Sequence, residues 1–259
     1  MARESKKTTV VQSKRRTWLI LAVLAAAFAC TALMAHEIRN YGMSSPGFVL
    51  NCDHADALTI EGLSYASHAR VTHVFADDFG HSIFSIPLDS RRRRLLAIDW
   101  VEDSTVSRVW PDRLIVRIRE RKPVAFVFFR SGVFLIDAYG VLLDRPPQSQ
   151  FTFPVLSGVR EDLTEQQRGE NVRILLRLQR ELGSHAGDIS EVNTADPENI
   201  RLVARVDNQA VDLLLGDTNF GNRYTTFLNH YPEIHRKSPE ARVFDLRLDD
   251  RITARESRD

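Results

Sequence analysis

Two cysteines in 259 residues are too few to staple a domain, and their placement does not help: Cys30 lies inside an apolar run and Cys52 just beyond it. Disulfides are therefore no part of the expected fold. Net charge is nearly absent as well, with 35 Lys and Arg against 34 Asp and Glu. No overall pull toward nucleic acid or an anionic surface follows, and local patches matter more than the total. The chain lacks a Gly-x-Ser-x-Gly elbow, a glycine-rich phosphate loop and a Ser-x-x-Lys motif, which removes the signatures of the common hydrolases and nucleotidases. The eight histidines are scattered. His68 and His73 have no Cys or carboxylate neighbour at metal-ligand spacing and read as helix-surface residues. Carboxylates are plentiful, but no spacing among them selects a catalytic pair. The expectation is a protein without catalytic residues, metal or cofactor.

What the chain does have is one long apolar run. Thr17 to Ala35 carries no charge, and at about 1.5 Å per residue it spans about 28 Å, close to the hydrocarbon thickness of a bilayer. Arg3, Lys6, Lys7, Lys14, Arg15 and Arg16 precede it against the single anion Glu4, while only Arg39 follows closely. The positive-inside rule then places the N-terminus in the cytoplasm and the rest outside. A cleaved signal peptide is the alternative; it calls for a shorter apolar region and a small-residue site, whereas Leu33 occupies the outer position before His36. The expected organisation is a disordered basic tail at 1–16, a transmembrane helix at 17–35 and a Gly-, Ser- and Pro-containing linker at 36–56.

Beyond the linker the pattern predicts a short strand at Leu58 to Glu61, a helix across His68 to Phe79, and a second helix from Leu88, with Asp89 able to cap it. Arg91 to Arg94 reads either as a docking patch for an acidic partner or as a solvated helix face. Leu114, Val116 and Ile118 then alternate with Ile115, Arg117 and Arg119, as in a half-buried strand, and Pro111-Asp112 supplies the turn joining it to Val101–Val109. Trp100 and Trp110 flank turns outside any local aromatic cluster and read as hydrophobic anchors of this hairpin. A meander follows from Val124. A helix spans roughly Glu165 to Leu182 with Gly183 as its stop, and a hairpin turns at Asp207-Asn208. A short helix runs from about Asn222 and stops at Tyr231-Pro232. The last strand covers Arg242 to Leu248, placed at a sheet edge, and nothing after Arg255 looks ordered.

The order Trp100-Val101, a short polar run, then Val106-x-Arg108-x-Trp110-Pro111-Asp112-x-Leu114-x-Val116-x-Ile118-x-Glu120-Arg121-x-Pro123-Val124-Ala125 resembles the signature closing the POTRA domain of the FtsQ/DivIB family of bacterial division proteins. Asp137-Ala138-Tyr139-Gly140, Leu215-Gly216, Arg223 with Phe227, and Asp245-Leu246-Arg247 followed by Ala254-Arg255 resemble that family's C-terminal β domain. The chain departs from the family at Leu248, where an aromatic is common, and at Asp249-Asp250-Arg251, where a Gly is. The resemblance implies an α+β fold: a single N-terminal transmembrane helix, a β-α-α-β-β POTRA domain at 57–123, a mixed β domain with helices at 124–255, and a tail at 256–259.

The same resemblance implies a non-enzymatic scaffold of the divisome at the septum, linking early septal-ring proteins to the septal peptidoglycan synthesis machinery. Its partners would be FtsB- and FtsL-like small coiled-coil proteins and other divisome components, without nucleic acid. The partner site falls at Phe244, Asp245, Leu246, Arg247, Leu248 and Arg251. A last strand at a sheet edge also offers unpaired backbone groups to an extended segment. The competing reading keeps Asp245 and Arg247 as a surface ion pair and Leu248 in the core. Recruitment contacts fall at Val106 and Arg108, with core packing the alternative for Val106. A POTRA-containing polypeptide-binding or translocation module is the rival function, although it calls for a β-barrel or further POTRA copies. An anchored envelope enzyme is a third.

Overall fold

In the computed structural model, which describes residues 7–147, 149–248 and 251–256, the apolar run lies within one 38-residue helix, α1 (Lys7–Ser44). Its Leu21–Ser44 portion is long and apolar enough to cross a membrane once, and none of its most apolar window is covered by protein. A helix apolar on all sides with no protein around it suits a lipid solvent. The helix starts at Lys7, inside the segment expected to be a disordered tail, because Lys, Gln and Arg continue a helix readily. The first six residues, Gln148, Asp249 and Asp250, and the last three residues lie outside the described part.

The expected linker is also ordered. The helix runs on to Ser44, a 3₁₀ turn follows at Pro46–Phe48, and Val49 bridges Ser82. The Ser82 hydroxyl donates to the Gly42 carbonyl at 2.7 Å, and the Ile83 N–H donates to the Phe48 carbonyl at 2.8 Å. Leu50 is fully buried. Apolar anchors among the Gly, Ser and Pro residues fix a segment whose composition reads as loose.

Two units follow from the contact pattern: Met1–Gly62, His68–Leu95 and Ser104–Ile118 form the first, and Leu63–Ser67, Leu96–Asp103 and Arg119–Asp259 the second. The POTRA elements appear in the expected order: β1 (Leu58–Glu61), α2 (His68–His73), α3 (Leu88–Leu96), β2 (Val101–Val109) and β3 (Arg113–Glu120). Their sheet has the order β1-β3-β2, with β1 parallel to β3 and Ile60 opposite Val116. Leu114, Val116 and Ile118 are buried while Arg117 and Arg119 are exposed, as the alternation requires.

The α2 helix is shorter than expected. It ends at His73, and a 3₁₀ turn at Ala76–Asp78 follows; with three residues per turn, this brings the buried Phe75 and Asp78 to one side. Asp89 lies within the first turn of α3 rather than ahead of it. Arg91 of that helix is 8% exposed, and its Nε and Nη2 donate to the two Asp78 carboxylate oxygens at 2.6 and 2.8 Å. Arg92 donates to the Ser104 carbonyl at 2.7 Å. Arg91 is thus buried inside the unit, while Arg92, Arg93 and Arg94 are exposed, Arg92 with a bond back to the Ser104 carbonyl.

The second unit holds a nine-stranded sheet built from β4 (Pro123–Phe129), β5 (Gly132–Asp137), β6 (Leu142–Asp144), β7 (Val155–Ser157), β8 (Ile189–Asn193), β9 (Ile200–Val206), β10 (Gln209–Gly216), β11 (Ala241–Asp245) and β12 (Thr253–Glu256). Its strand order is β12-β11-β10-β9-β8-β7-β4-β5-β6. Asp207 and Asn208 take positive φ values of 46° and 65°, as a two-residue loop matching the strand twist demands. Helix α4 (Glu165–Leu182) opens on a Thr164–Gln167 capping box and stops at Gly183. It buries Val172, Leu175, Leu178 and Leu182 against the sheet residues Leu202, Ala204, Leu213 and Leu215 in a single core.

Helix α5 (Phe220–Lys237) passes through Pro232, correcting the expected stop. Phe220, Tyr224, Phe227 and Tyr231 form one buried stripe, and Ile234 prolongs it against the same core. Pro232 lies on the exposed side, and burial of the stripe outweighs the proline penalty.

Several motif residues turn out to be hydrogen-bond hubs. The Glu120 carboxylate accepts the backbone N–H groups of Ser64, Tyr65 and Ala66 at 2.7 to 3.1 Å. Arg121 donates to Asp137 at 2.9 Å, and Asp137 in turn accepts the N–H groups of Tyr139 and Val141 at 2.9 and 2.8 Å. Gly140 closes that turn at φ +92°, and a Cβ there would lie 2.3 Å from the Glu165 carbonyl oxygen and 2.4 Å from the Gly169 nitrogen. Glu120→Gln keeps the shape but removes the charge and one acceptor oxygen. An unfolding free energy lower by about 1–3 kcal/mol is expected in urea titration, and an unchanged midpoint would contradict the hub.

The two tryptophans differ from their sequence reading, since both join aromatic clusters. Trp100 is 4% exposed and packs on Tyr65 and Phe151 at centroid distances of 5.1 and 6.4 Å. Trp110 is 66% exposed, with Phe48 and Phe84 at 5.4 and 5.6 Å. The partners come from distant segments, so no local run of aromatics announces either cluster.

Candidate partner-binding site

The strand expected at the sheet edge is one position further in. Antiparallel β12 covers the outer side of β11, with Phe244 opposite Ala254 and Asp245 opposite Thr253, while β10 lies parallel on the inner side. The edge is therefore β12. Thr253–Glu256 is short and polar, without the hydrophobic alternation by which strands are read.

This placement divides the six candidate residues. Phe244 is 1% exposed and Leu246 2% exposed, and both belong to the core; the Leu246 N–H also donates to the Leu214 carbonyl at 2.9 Å. Asp245, half-buried, accepts from Nε and Nη2 of Arg247 at 2.9 and 2.7 Å and from the Arg247 N–H at 3.1 Å. Nη1 of Arg247 donates to the side-chain oxygen of Asn199 at 2.7 Å. The bonds to Asp245 hold the Arg247 guanidinium above its ordinary pKa, and they fix its plane. Leu248, at 49% exposure, and Arg251 both face solvent.

Leu246, Leu248, Arg251 and Ile252 form one wall of a pocket of about 540 Å³, and a face of α5 beside its core stripe forms the other. That face brings Asn222, Arg223, Thr226, His230, Glu233, Ile234 and Lys237 to the cavity. Lys237 donates to Glu233 at 2.7 Å and holds that carboxyl below its usual range. Arg223 also bonds the Leu215 carbonyl, and Gly216, at φ +74°, leaves room for its guanidinium, since a Cβ would come within 2.8 Å of it. This explains why Leu215-Gly216 and Arg223 occur together. A stop at Tyr231-Pro232 hides the end of this wall, Glu233, Ile234 and Lys237; the continued spacing of Phe227, Tyr231 and Ile234 is the signal that finds it.

Of the recruitment candidates, Val106 is half-buried, and Arg108 directs its guanidinium to the backbone carbonyls of Ile83 and Ile86, the latter at 2.7 Å. Among the described residues no group of three or more His, Cys, Asp or Glu side chains is placed to hold a metal ion.

The FtsQ-type POTRA domain model matches residues 54–121. The cell division protein FtsQ of Koribacter versatilis is 35% identical over 218 residues, covering 82% of this chain and 62% of that protein. FtsQ of Streptomyces bingchenggensis is 31% identical over 165 residues, covering 63% of this chain and 60% of that protein. The chain thus spans about three fifths of the length of these curated relatives. The solved major extracytoplasmic domain of the trans isomer of DivIB from Geobacillus stearothermophilus is 19% identical, over 47% of this chain and 96% of that one, with a TM-score of 0.25. An alignment covering 82% of the chain necessarily extends past the POTRA match into the second unit, and the chain belongs to the FtsQ/DivIB family of bacterial cell division proteins.

Proposed function

We propose that this single-pass protein is a divisome scaffold, N-terminus inside, that captures an FtsB-like coiled-coil protein, together with its FtsL-like companion, as an extended segment added to β12. The supporting observation is the exposed edge of β12 beside a pocket that carries Leu248 on its rim. Unpaired N–H and C=O groups along an edge give main-chain affinity, and a neighbouring pocket selects a side chain. Three of the five guanidinium donors of Arg247 are engaged by Asp245 and Asn199, so the fork is held in place with donors left for a partner carboxylate. Leu248 takes the apolar contact, while Phe244 and Leu246 act from the core by setting the path of this segment. Linking septal-ring proteins to peptidoglycan synthesis at the septum then requires binding alone, without chemistry in this chain.

Arg247→Glu and Leu248→Asp are each expected to weaken capture of the FtsB homologue at least tenfold, about 1.4 kcal/mol, with melting nearly unchanged. Calorimetric titration with the partner's extracytoplasmic segment measures it. Unaltered binding by a folded Arg247→Glu protein sinks the assignment.

A further inference from the structure

Where α1 ends, four aromatic rings meet. Tyr41 of the last helical turns touches Phe48 edge-on at 6.4 Å, Phe48 touches Phe84 at 5.2 Å, and Trp110 closes the group against both, at 5.4 Å from Phe48 and 5.6 Å from Phe84. The two outermost members, Tyr41 at 70% and Trp110 at 66% exposure, are the two residue types that concentrate at membrane interfaces, where a ring with one polar end is half wet. Their exposure has no internal explanation. Trp110 sits at the tip of a hairpin in which Leu114 and Val116 are fully buried and Val106, Val109 and Ile115 half-buried.

Depth follows from the helix. The uncharged run from Thr17 to Ala35 spans about 28 Å, against a hydrocarbon core of about 30 Å inside a bilayer of about 40–45 Å with its headgroups, and the helix continues past it to Ser44. The final turns therefore emerge in the headgroup layer. The residues His36, Glu37, Arg39 and Asn40 mark that layer by polarity, and Tyr41 follows directly. The cluster is tied to this depth rather than hanging from a free tether. The Gly42 carbonyl accepts from Ser82, a Cβ at Gly42 would lie 3.3 Å from the Phe84 ring, and backbone bonds link Phe48 and Leu50 to the His81–Ile83 segment.

We propose that this aromatic cluster is a second membrane contact, seating the POTRA-bearing unit on the lipid headgroup layer of the bilayer that α1 crosses, with Trp110 and Tyr41 among the headgroups. The unit would then be held against the membrane surface and not swing on a linker.

The test uses the full chain carrying Trp18→Phe, reconstituted alone into phosphatidylcholine vesicles, which leaves Trp100 and Trp110 as emitters. Lipids brominated near the headgroup should quench the Trp110 component at least twofold, and lipids brominated at the chain ends much less. Adding Trp110→Phe should abolish the quenched component and leave the buried Trp100 signal, which also reports that the second unit is folded. Trp110 emission unquenched by either lipid, with the water-exposed wavelength retained, overturns the proposal and leaves the cluster to a protein partner. Equal quenching in a chain bearing Tyr41→Ser and Phe84→Ser also overturns it, since contact would then not depend on the cluster.

Discussion

Trp100→Ala is expected to lower the unfolding free energy by about 3–5 kcal/mol, whereas Trp110→Ala lowers it by less than about 1 kcal/mol. Both tryptophans belong to the same hairpin motif, so the contrast tests environment rather than residue type. Trp100 is buried with Leu135 and Leu143, and Leu63, Phe126, Phe151 and Phe153 pack against the same cluster. Its indole N–H donates to the Asp144 carbonyl at 2.9 Å. Truncation removes a large apolar surface, opens a cavity that the sheet cannot close, and deprives a part-buried carbonyl of its donor. Trp110 is two-thirds in solvent in the absence of a bilayer, and its loss removes ring contacts only. Urea unfolding of the soluble portion, followed by far-UV circular dichroism, measures both. Equal losses from the two variants would mean that Trp110 is a core residue, contrary to its observed exposure.

Much of this architecture is legible where it depends on neighbours in sequence. The period-two pattern of Leu114, Val116 and Ile118 predicts the buried face of β3, the helical spacing of Val172, Leu175 and Leu182 predicts α4, and Asp207-Asn208 predicts its hairpin. What escapes depends on contacts between distant segments. Phe48 and Phe84 find Trp110 across more than twenty residues of chain, and Phe151 finds Trp100 across fifty. The stripe through Tyr231 carries α5 past a proline that local rules treat as a stop. The candidate site is split in the same way. Asp245 and Arg247 can be paired by their spacing, but Asn199, which completes the clamp, lies 48 residues away. The partition of Phe244 and Leu246 into the core, with Leu248 on the surface, needs β12 to be in place. A four-residue polar strand carries no hydrophobic signal, so the true sheet edge was the least legible part of the site.

Asp78→Ala is expected to destabilise the first unit by about 3–5 kcal/mol, through the charge it strands rather than the volume it removes. Asp78 is 4% and Arg91 8% exposed, and both carboxylate oxygens are taken by the guanidinium at 2.6 and 2.8 Å. The bonds to Asp78 raise the Arg91 pKa further above a value already far from neutrality, so the guanidinium cannot escape the loss of its partner by releasing a proton. Removing the carboxylate leaves a buried cation facing an alanine methyl, and unfolding becomes its route back to water. The apolar pair Asp78→Leu with Arg91→Met has neither charge to satisfy and is expected to fall within about 1–2 kcal/mol of the wild type, although each single substitution is costly. A double-mutant cycle by urea unfolding separates the explanations. If the two single losses simply add in the double variant, the pair is uncoupled and the cost of Asp78→Ala has another origin. If the double variant recovers most of the stability, Arg91 is held by its partner, and Arg92, Arg93 and Arg94 remain as the surface charge of the run.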